Sequence, residues 1–146
     1  ANAHEERKQA FALAKFTATL AQVSVPRINL IAGEAYGTAA EVMNSKAIGA
    51  DFVLAWPQAS VGMMDAEQAV RIMYAEEIDA DDDKMALIAE KTAEYAEGQS
   101  SALAAAKRGY VDDIIEPDAT RKRLIAAYEM LYGKKVTPVT KKHTAV

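Results

Sequence analysis

The chain has no cysteine and only two histidines in its 146 residues, His4 and His143. Without thiols it can form neither disulfides nor thiolate metal sites, which fits a reducing cytoplasm. With histidines only near the two ends, no Ser-His-Asp or Cys-His arrangement can be argued from spacing, and no metal-ligating cluster stands out. No run approaches the roughly 20 apolar residues that a membrane-crossing helix needs. Nor does the chain open with a charged region leading into an apolar stretch and cleavage site, so secretion is not expected. Basic patches are scarce as well: Lys and Arg number 17 against 21 Asp and Glu, and the net charge is -4. Nucleic acid is therefore not an expected partner.

What remains is the composition of one folded domain over residues 1–146, with 51% hydrophobic residues and length enough for its own core. Apolar residues at helical spacing (Phe11, Leu13, Ala14, Phe16, Leu20) predict a helix from His4 to Ala21, broken by Val23 to Pro26. Strands are expected at Arg27 to Ala32, Asp51 to Trp56 and Ala59 to Met63, with Gly49 as a C-terminal helix cap and Trp56 in a core or interface. Asp65 has the spacing of a capping box for a helix running to about Glu77, with Ala66, Ala69, Val70 and Met73 inward. The acidic run Asp79 to Asp83 suits the positive end of the next helix, in which Met85, Ile88, Thr92 and Tyr95 form a stripe ending at Gly98. Calcium is the sharper reading of that run, but the ligand and glycine pattern of an EF-hand loop is absent. A short helix at Ala102 to Lys107, an extended segment at Tyr110 to Ile115 and a last helix from Pro117 to about Tyr132 complete the order. In that last helix Leu124, Ile125, Tyr128 and Leu131 are expected to face inward. A basic tail with Lys134, Lys135, Lys141 and Lys142 follows Gly133.

The stretch from Val25 to Ile48 organises the chain. A β-branched run after Pro26 passes through a glycine-containing turn into residues that favour a helix. At the start of such a helix several backbone N–H groups lack an intrahelical partner, and the aligned peptide dipoles add positive potential. Thr38 and Ala39 fall at that point, and Gly37, Ala39 and Ala40 leave the backbone open to a carbonyl oxygen, the geometry of an oxyanion hole. The plainer reading is a packed strand-turn-helix without chemistry.

Further motifs resolve the family. Val25-Pro26-Arg27, Ala35-Tyr36-Gly37-Thr38-Ala39, Gly49-Ala50-Asp51, Ala55-Trp56-Pro57, Val61-Gly62-Met63-Met64 and Gly109-Tyr110-Val111-Asp112-Asp113-Ile114-Ile115 followed by Pro117, then Lys142-His143, stand in a characteristic order and spacing. Together they resemble the carboxyltransferase subunits of biotin-dependent acyl-CoA carboxylases and decarboxylases, of the propionyl-CoA carboxylase β and methylmalonyl-CoA decarboxylase α types.

The resemblance implies an α/β chain with a partial crotonase-like (ClpP/crotonase) fold, helix-rich with a few short strands, corresponding to the C-terminal part of the carboxyltransferase C-terminal domain. It implies transfer of a carboxyl group between carboxybiotin on a carrier protein and an acyl-CoA such as propionyl- or methylmalonyl-CoA. The amides of Thr38 and Ala39 then form the biotin-side oxyanion hole, and Tyr36, Gly37 and Glu41 line the substrate pocket, with no metal bound by the chain. The family usually carries glycine at the position of Thr38, so here a side chain stands beside the amide. Glu41 could equally be a solvated first-turn carboxylate. Implied partners are the acyl-CoA, the biotin carrier, further carboxyltransferase subunits in a homo-oligomer and, for a decarboxylase, a membrane subunit. Such a site lies between two subunits, so a fragment with one half of it should expose apolar surface and be inactive alone. Two other readings are a non-catalytic assembly module and a crotonase-type acyl-CoA hydratase or isomerase.

Overall fold

In a computed structural model the chain is described over residues 3–135, with side chains from residue 8 onward. Lys141, Lys142 and His143 and the side chain of His4 lie outside what is described. Helix α1 spans Ala3–Gln22 and ends before Pro26, as the proline requires. Strand β1, Ile28–Ile31, follows, and after Gly33 comes a second strand, β2, Glu34–Tyr36, which sequence patterning does not reveal. Helix α2, Gly37–Val42, is only six residues long rather than reaching Ile48. Asn44 stops it in the left-handed region at φ 60°, and a separate 3-10 turn, Lys46–Ile48, closes on Gly49 at φ 92°.

Strands β3 (Phe52–Ala55) and β4 (Ser60–Gly62) then repeat the pattern of β1 and β2. β3 pairs parallel with β1, Ile28 opposite Phe52 through Ile31 opposite Ala55, and β4 pairs parallel with β2, Glu34 opposite Ser60 through Tyr36 opposite Gly62. The chain thus lays one strand in each of two parallel sheets, makes a helical excursion and returns to extend both, the kind of crossover that parallel pairing demands. A last short strand, β5 (Asp113–Ile114), joins β3 on its other side.

Between β4 and β5 the chain is helical. Asp65 caps α3 (Ala66–Met73), its carboxylate accepting from the amides of Glu67 and Gln68. The helix expected to reach Glu77 breaks at Tyr74 and restarts as α4, Ala75–Ala80. Asp83 caps α5 (Lys84–Tyr95) through the amide of Ala86, while Asp81 accepts from the amide of Asp83 and Asp79 pairs with Lys84. The acidic run therefore serves helix ends and one ion pair. Gly98 does not stop α5 outright, because a π-helical turn, Ala96–Ser100, carries it on to Ser101, which caps α6 (Ala102–Lys107). Pro117 opens a 3-10 turn into α7, Thr120–Leu131.

Two cores result. In one, Val53 and Ala55 of β3 meet Ala59, Ala102, Ala105 and Val111, and the small alanines let α6 lie close to the sheet. In the other, Val70, Ile78 and Ile88 join α3, α4 and α5, flanked by Tyr74, Leu87 and Tyr95. Met73 and Met85 are exposed, contrary to expectation: Met73 is the last residue of α3 before the break, and Met85 belongs to the first turn of α5, one turn ahead of Ile88. In α7 the inward face is Thr120, Leu124, Ala127 and Leu131, while Ile125 and Tyr128 are about half exposed. The indole of Trp56, only partly buried, donates to Thr120 Oγ1 at 2.9 Å and sets that rotation. On α1, Phe11 and Phe16 are exposed, so its apolar face is left largely uncovered by the described residues.

Arg27 and Asp51 tie these pieces together. The Arg27 guanidinium donates to the carbonyls of Leu20, Ile48 and Gly49 at 2.7, 2.9 and 2.7 Å. Its backbone N–H donates to Asp51 Oδ2, which also accepts from Lys134 Nζ at 2.8 Å, just beyond α7. Burial pushes the Asp51 carboxyl up, but the Lys134 hydrogen bond, the Arg27 amide and the two positive charges together outweigh it and hold the group below its ordinary value. A depressed native pKa adds stability above the unfolded value and loses it as pH falls through the native one. Thermal unfolding should therefore show wild-type stability declining from about pH 4 downward, and Asp51→Asn, less stable at neutral pH, should have a flatter acid limb.

Candidate functional site

The turn from β2 into α2 is built by a glycine in a conformation that other residues adopt at a cost. Gly37 has φ +61°, and a Cβ there would lie 3.2 Å from the Met63 carbonyl oxygen. Tyr36 stands at the N-cap in extended geometry with no side-chain hydrogen bond across the helix end. Helix geometry leaves the first N–H groups without intrahelical acceptors, and here no capping side chain consumes them. Opposite, Gly62 brings β4 close: a Cβ there would stand 3.4 Å from the Met64 carbonyl, 3.6 Å from Ser100 Oγ and 3.7 Å from Tyr36 Cδ1. One glycine at the start of α2 and one on β4 thus leave the space before α2 without side chains at those two positions.

That space is a groove of about 650 Å³. Of the residues singled out in the sequence, Tyr36, Gly37, Ala39 and Glu41 line it, joined by Ala40, whereas Thr38 is exposed and not among the lining residues. Glu41 is the fifth residue of α2 and exposed, so it is not the first-turn carboxylate that a dipole argument would favour. The far wall comes from the helical region and from the segment before β5: Tyr95 at the end of α5, Gln99 and Ser100 on the π-helical turn, then Arg108 and Tyr110. The Arg108 guanidinium is held by the carbonyl and side-chain oxygens of Gln99. Ser100 is 2% exposed, a buried polar residue at the groove wall. A π-helical turn inside a longer helix commonly marks a place where side chains are re-aimed.

Lys46 also lines the groove and pairs with Asp112 at 2.7 Å. Neither residue stands out in the sequence. Asp112 lies within Gly109-Tyr110-Val111-Asp112, a stretch that carries the family resemblance and is given no role of its own. Among the described residues no group of three or more acidic, histidine or cysteine side chains could hold a metal ion, and no helix is long and apolar enough to cross a membrane.

The makeup of the groove determines its chemistry. Glycine and alanine admit a planar amide-like or thioester group close to the backbone, and unpaired amides in a water-poor cleft stabilise an oxygen that gains negative charge. A Cβ at Gly37 or Gly62 would crowd the backbone and side chains around this groove.

The same chain has relatives. Residues 9–146 match the family model described as the carboxyl transferase domain. A putative propionyl-CoA carboxylase beta chain of Bacillus subtilis is 46% identical over 130 residues, covering 89% of this chain and 26% of that protein. The methylmalonyl-CoA carboxyltransferase 12S subunit of Propionibacterium freudenreichii is 39% identical over 130 residues, 89% of this chain and 25% of the relative. A solved transcarboxylase 12S structure, a hexamer with methylmalonyl-CoA and methylmalonic acid bound, superposes with TM-score 0.91 at 36% identity over 99% of this chain and 28% of that one. The likeness carries the α/β, crotonase-like arrangement of few short strands and many helices. The chain spans about a quarter of the length of these curated relatives.

Gly37→Ala should cost about 1 to 2 kcal/mol, since alanine must enter the left-handed region and its Cβ meets the Met63 carbonyl. Chemical denaturation of the two proteins measures it; a loss no larger than that of Gly98→Ala, where a Cβ meets nothing within 4 Å, would refute the strain.

Proposed function

The chain belongs to the carboxyl transferase domain family, and on that premise we propose that it forms the biotin-facing part of a carboxyltransferase acting between carboxybiotin on a carrier protein and an acyl-CoA. The observation that carries the proposal is the groove at the β2–Gly37–α2 turn, lined by Gly37, Ala39 and Ala40 beside a helix start that no side chain caps. Carboxybiotin supplies the activated carboxyl group; the chain's own residues supply position and charge stabilisation. Thr38 and Ala39 N–H groups hold the oxygen that becomes negative as the carboxyl group leaves. No acid-base side chain is needed for that step, since one such donor is worth about 3 kcal/mol in other enzymes.

Tyr36 and Gly37 shape the floor of the pocket, and Glu41 on the second turn of α2 faces the acyl group. The Thr38 side chain, exposed and outside the lining, leaves the approach along Gly37 and Ala39 open. Full activity needs a CoA-binding half from another subunit, so the acyl-CoA, the biotin carrier and further carboxyltransferase subunits are the partners of this reading, with a membrane subunit added in a decarboxylase. The cytoplasm is its compartment.

The test uses a full-length subunit that contains the chain. Proline is accommodated in the first turn of a helix, so Thr38→Pro removes one amide and leaves α2 able to form. Carboxyl transfer from the holo carrier should fall by about 10² to 10³ in kcat, with acyl-CoA binding nearly unchanged and the circular dichroism spectrum intact. Undiminished transfer by the folded variant would overturn the assignment.

A further inference from the structure

Helix α2 cannot hold itself in place. It has six residues and no buried side chain, and helices this short are unstable unless the rest of the fold fixes them. Its start is fixed by β2, which is laddered to β4. Its C-terminal end is followed by Ser45 and by Lys46, the first residue of the 3-10 turn. Ser45 Oγ donates to the Glu41 carbonyl at 2.6 Å, and Lys46 reaches across to Asp112 Oδ1 at 2.7 Å. Asp112 is itself part of the sheet: its Oδ2 accepts from the Val53 amide at 2.8 Å, and its own amide donates to the Val53 carbonyl at 2.7 Å. The Lys46 ammonium also approaches the Asp51 carbonyl at 3.4 Å.

We propose that Lys46 and Asp112 are positioning residues for carboxyl transfer: their ion pair ties the C-terminal end of α2 to β3 and so fixes where the Thr38 and Ala39 amides stand in the groove. This rests on the carboxyltransferase reading above. The pair is about one-third exposed on both sides, 35% and 30%, and pairs of that kind add little to global stability. Its effect falls on placement instead, because small misplacements of a catalytic group cost large factors in rate.

The experiment compares full-length subunits carrying Lys46→Met, Lys46→Arg and Asp112→Asn. The asparagine keeps an acceptor for the Val53 amide and removes only the charge facing Lys46, so it serves if Lys46→Met fails to fold. Lys46→Met and Asp112→Asn should lower kcat by about 10- to 100-fold with little change in KM for the acyl-CoA. Both should speed hydrogen exchange of the 37–43 backbone without speeding that of α3 and α5. Lys46→Arg should restore the rate and the protection. A kcat close to wild type, or a loss of kcat with unchanged exchange at 37–43, overturns the proposal. If the wild-type subunit transfers no carboxyl group, the carboxyltransferase reading fails, while the exchange of residues 37–43 still decides whether the pair anchors α2.

Discussion

The structure depends first on how Arg27 and Asp51 meet. Arg27 enters β1 and Asp51 enters β3, and their reciprocal backbone and carboxylate hydrogen bonds set the register of the first parallel pair. The guanidinium then donates to three carbonyls, one near the end of α1, which also accepts from the Val23 amide, and two at the end of the 3-10 turn. Gly49 is required by the same clasp, since a Cβ at its position would stand 2.9 Å from Arg27 Nη2. With Lys134 completing the carboxylate's partners, four separate parts of the chain converge on one ion cluster. Partial burial makes such a cluster consequential, because a charge there left without its partner is far more costly than one in water.

A second constraint is size. Ala55 on β3, Ala102 and Ala105 on α6 and Ala59 before β4 are core positions, and Gly33, Gly37, Ala39, Ala40 and Gly62 are among the groove's lining residues. Small residues sacrifice apolar burial per residue, roughly 25 cal/mol per Å² of surface not covered, but they allow backbones to approach. Close approach is what the proposed site of backbone amides requires, since packing must then bring main chain, rather than a chosen side chain, to the ligand.

Local chemistry made much of this legible in the sequence. Asp65 announces a helix start because capping acts within three residues, the acidic run to Asp83 suits the start of the next helix, and Gly49 announces a left-handed turn. Tyr36, Gly37, Ala39 and Glu41, which line the groove, stand in a stretch where strand, glycine and helix signals lie within a few residues of each other. What escaped is what depends on distant partners. β2 has three residues and gains its identity only from β4. The facing of α7 follows from the Trp56 contact with Thr120, 64 positions away in sequence. The far wall of the groove, Ser100 with Arg108, reaches α2 only through the fold. Periodicity also misplaced Met73 and Met85, since a spacing pattern cannot tell the last turn before a break, or the first turn after a cap, from the middle of a helix.

These two constraints bear on why the proposed site sits on one of the shortest helices among the described residues. A long helix would carry its own stability, but its amides beyond the first turn would be consumed by its own hydrogen bonds. A six-residue helix is mostly terminus, so a large share of its N–H groups remain free to face a ligand. Its conformation must then be imposed from outside, by a glycine turn at one end and by charge and hydrogen bonds at the other. Stability and chemistry are thereby divided between different residues: Arg27 and Asp51 secure the frame at the start of the sheet, while Lys46 and Asp112 act on the helix that frame supports. Substitutions in the first pair endanger the fold, and substitutions in the second change where two amides point.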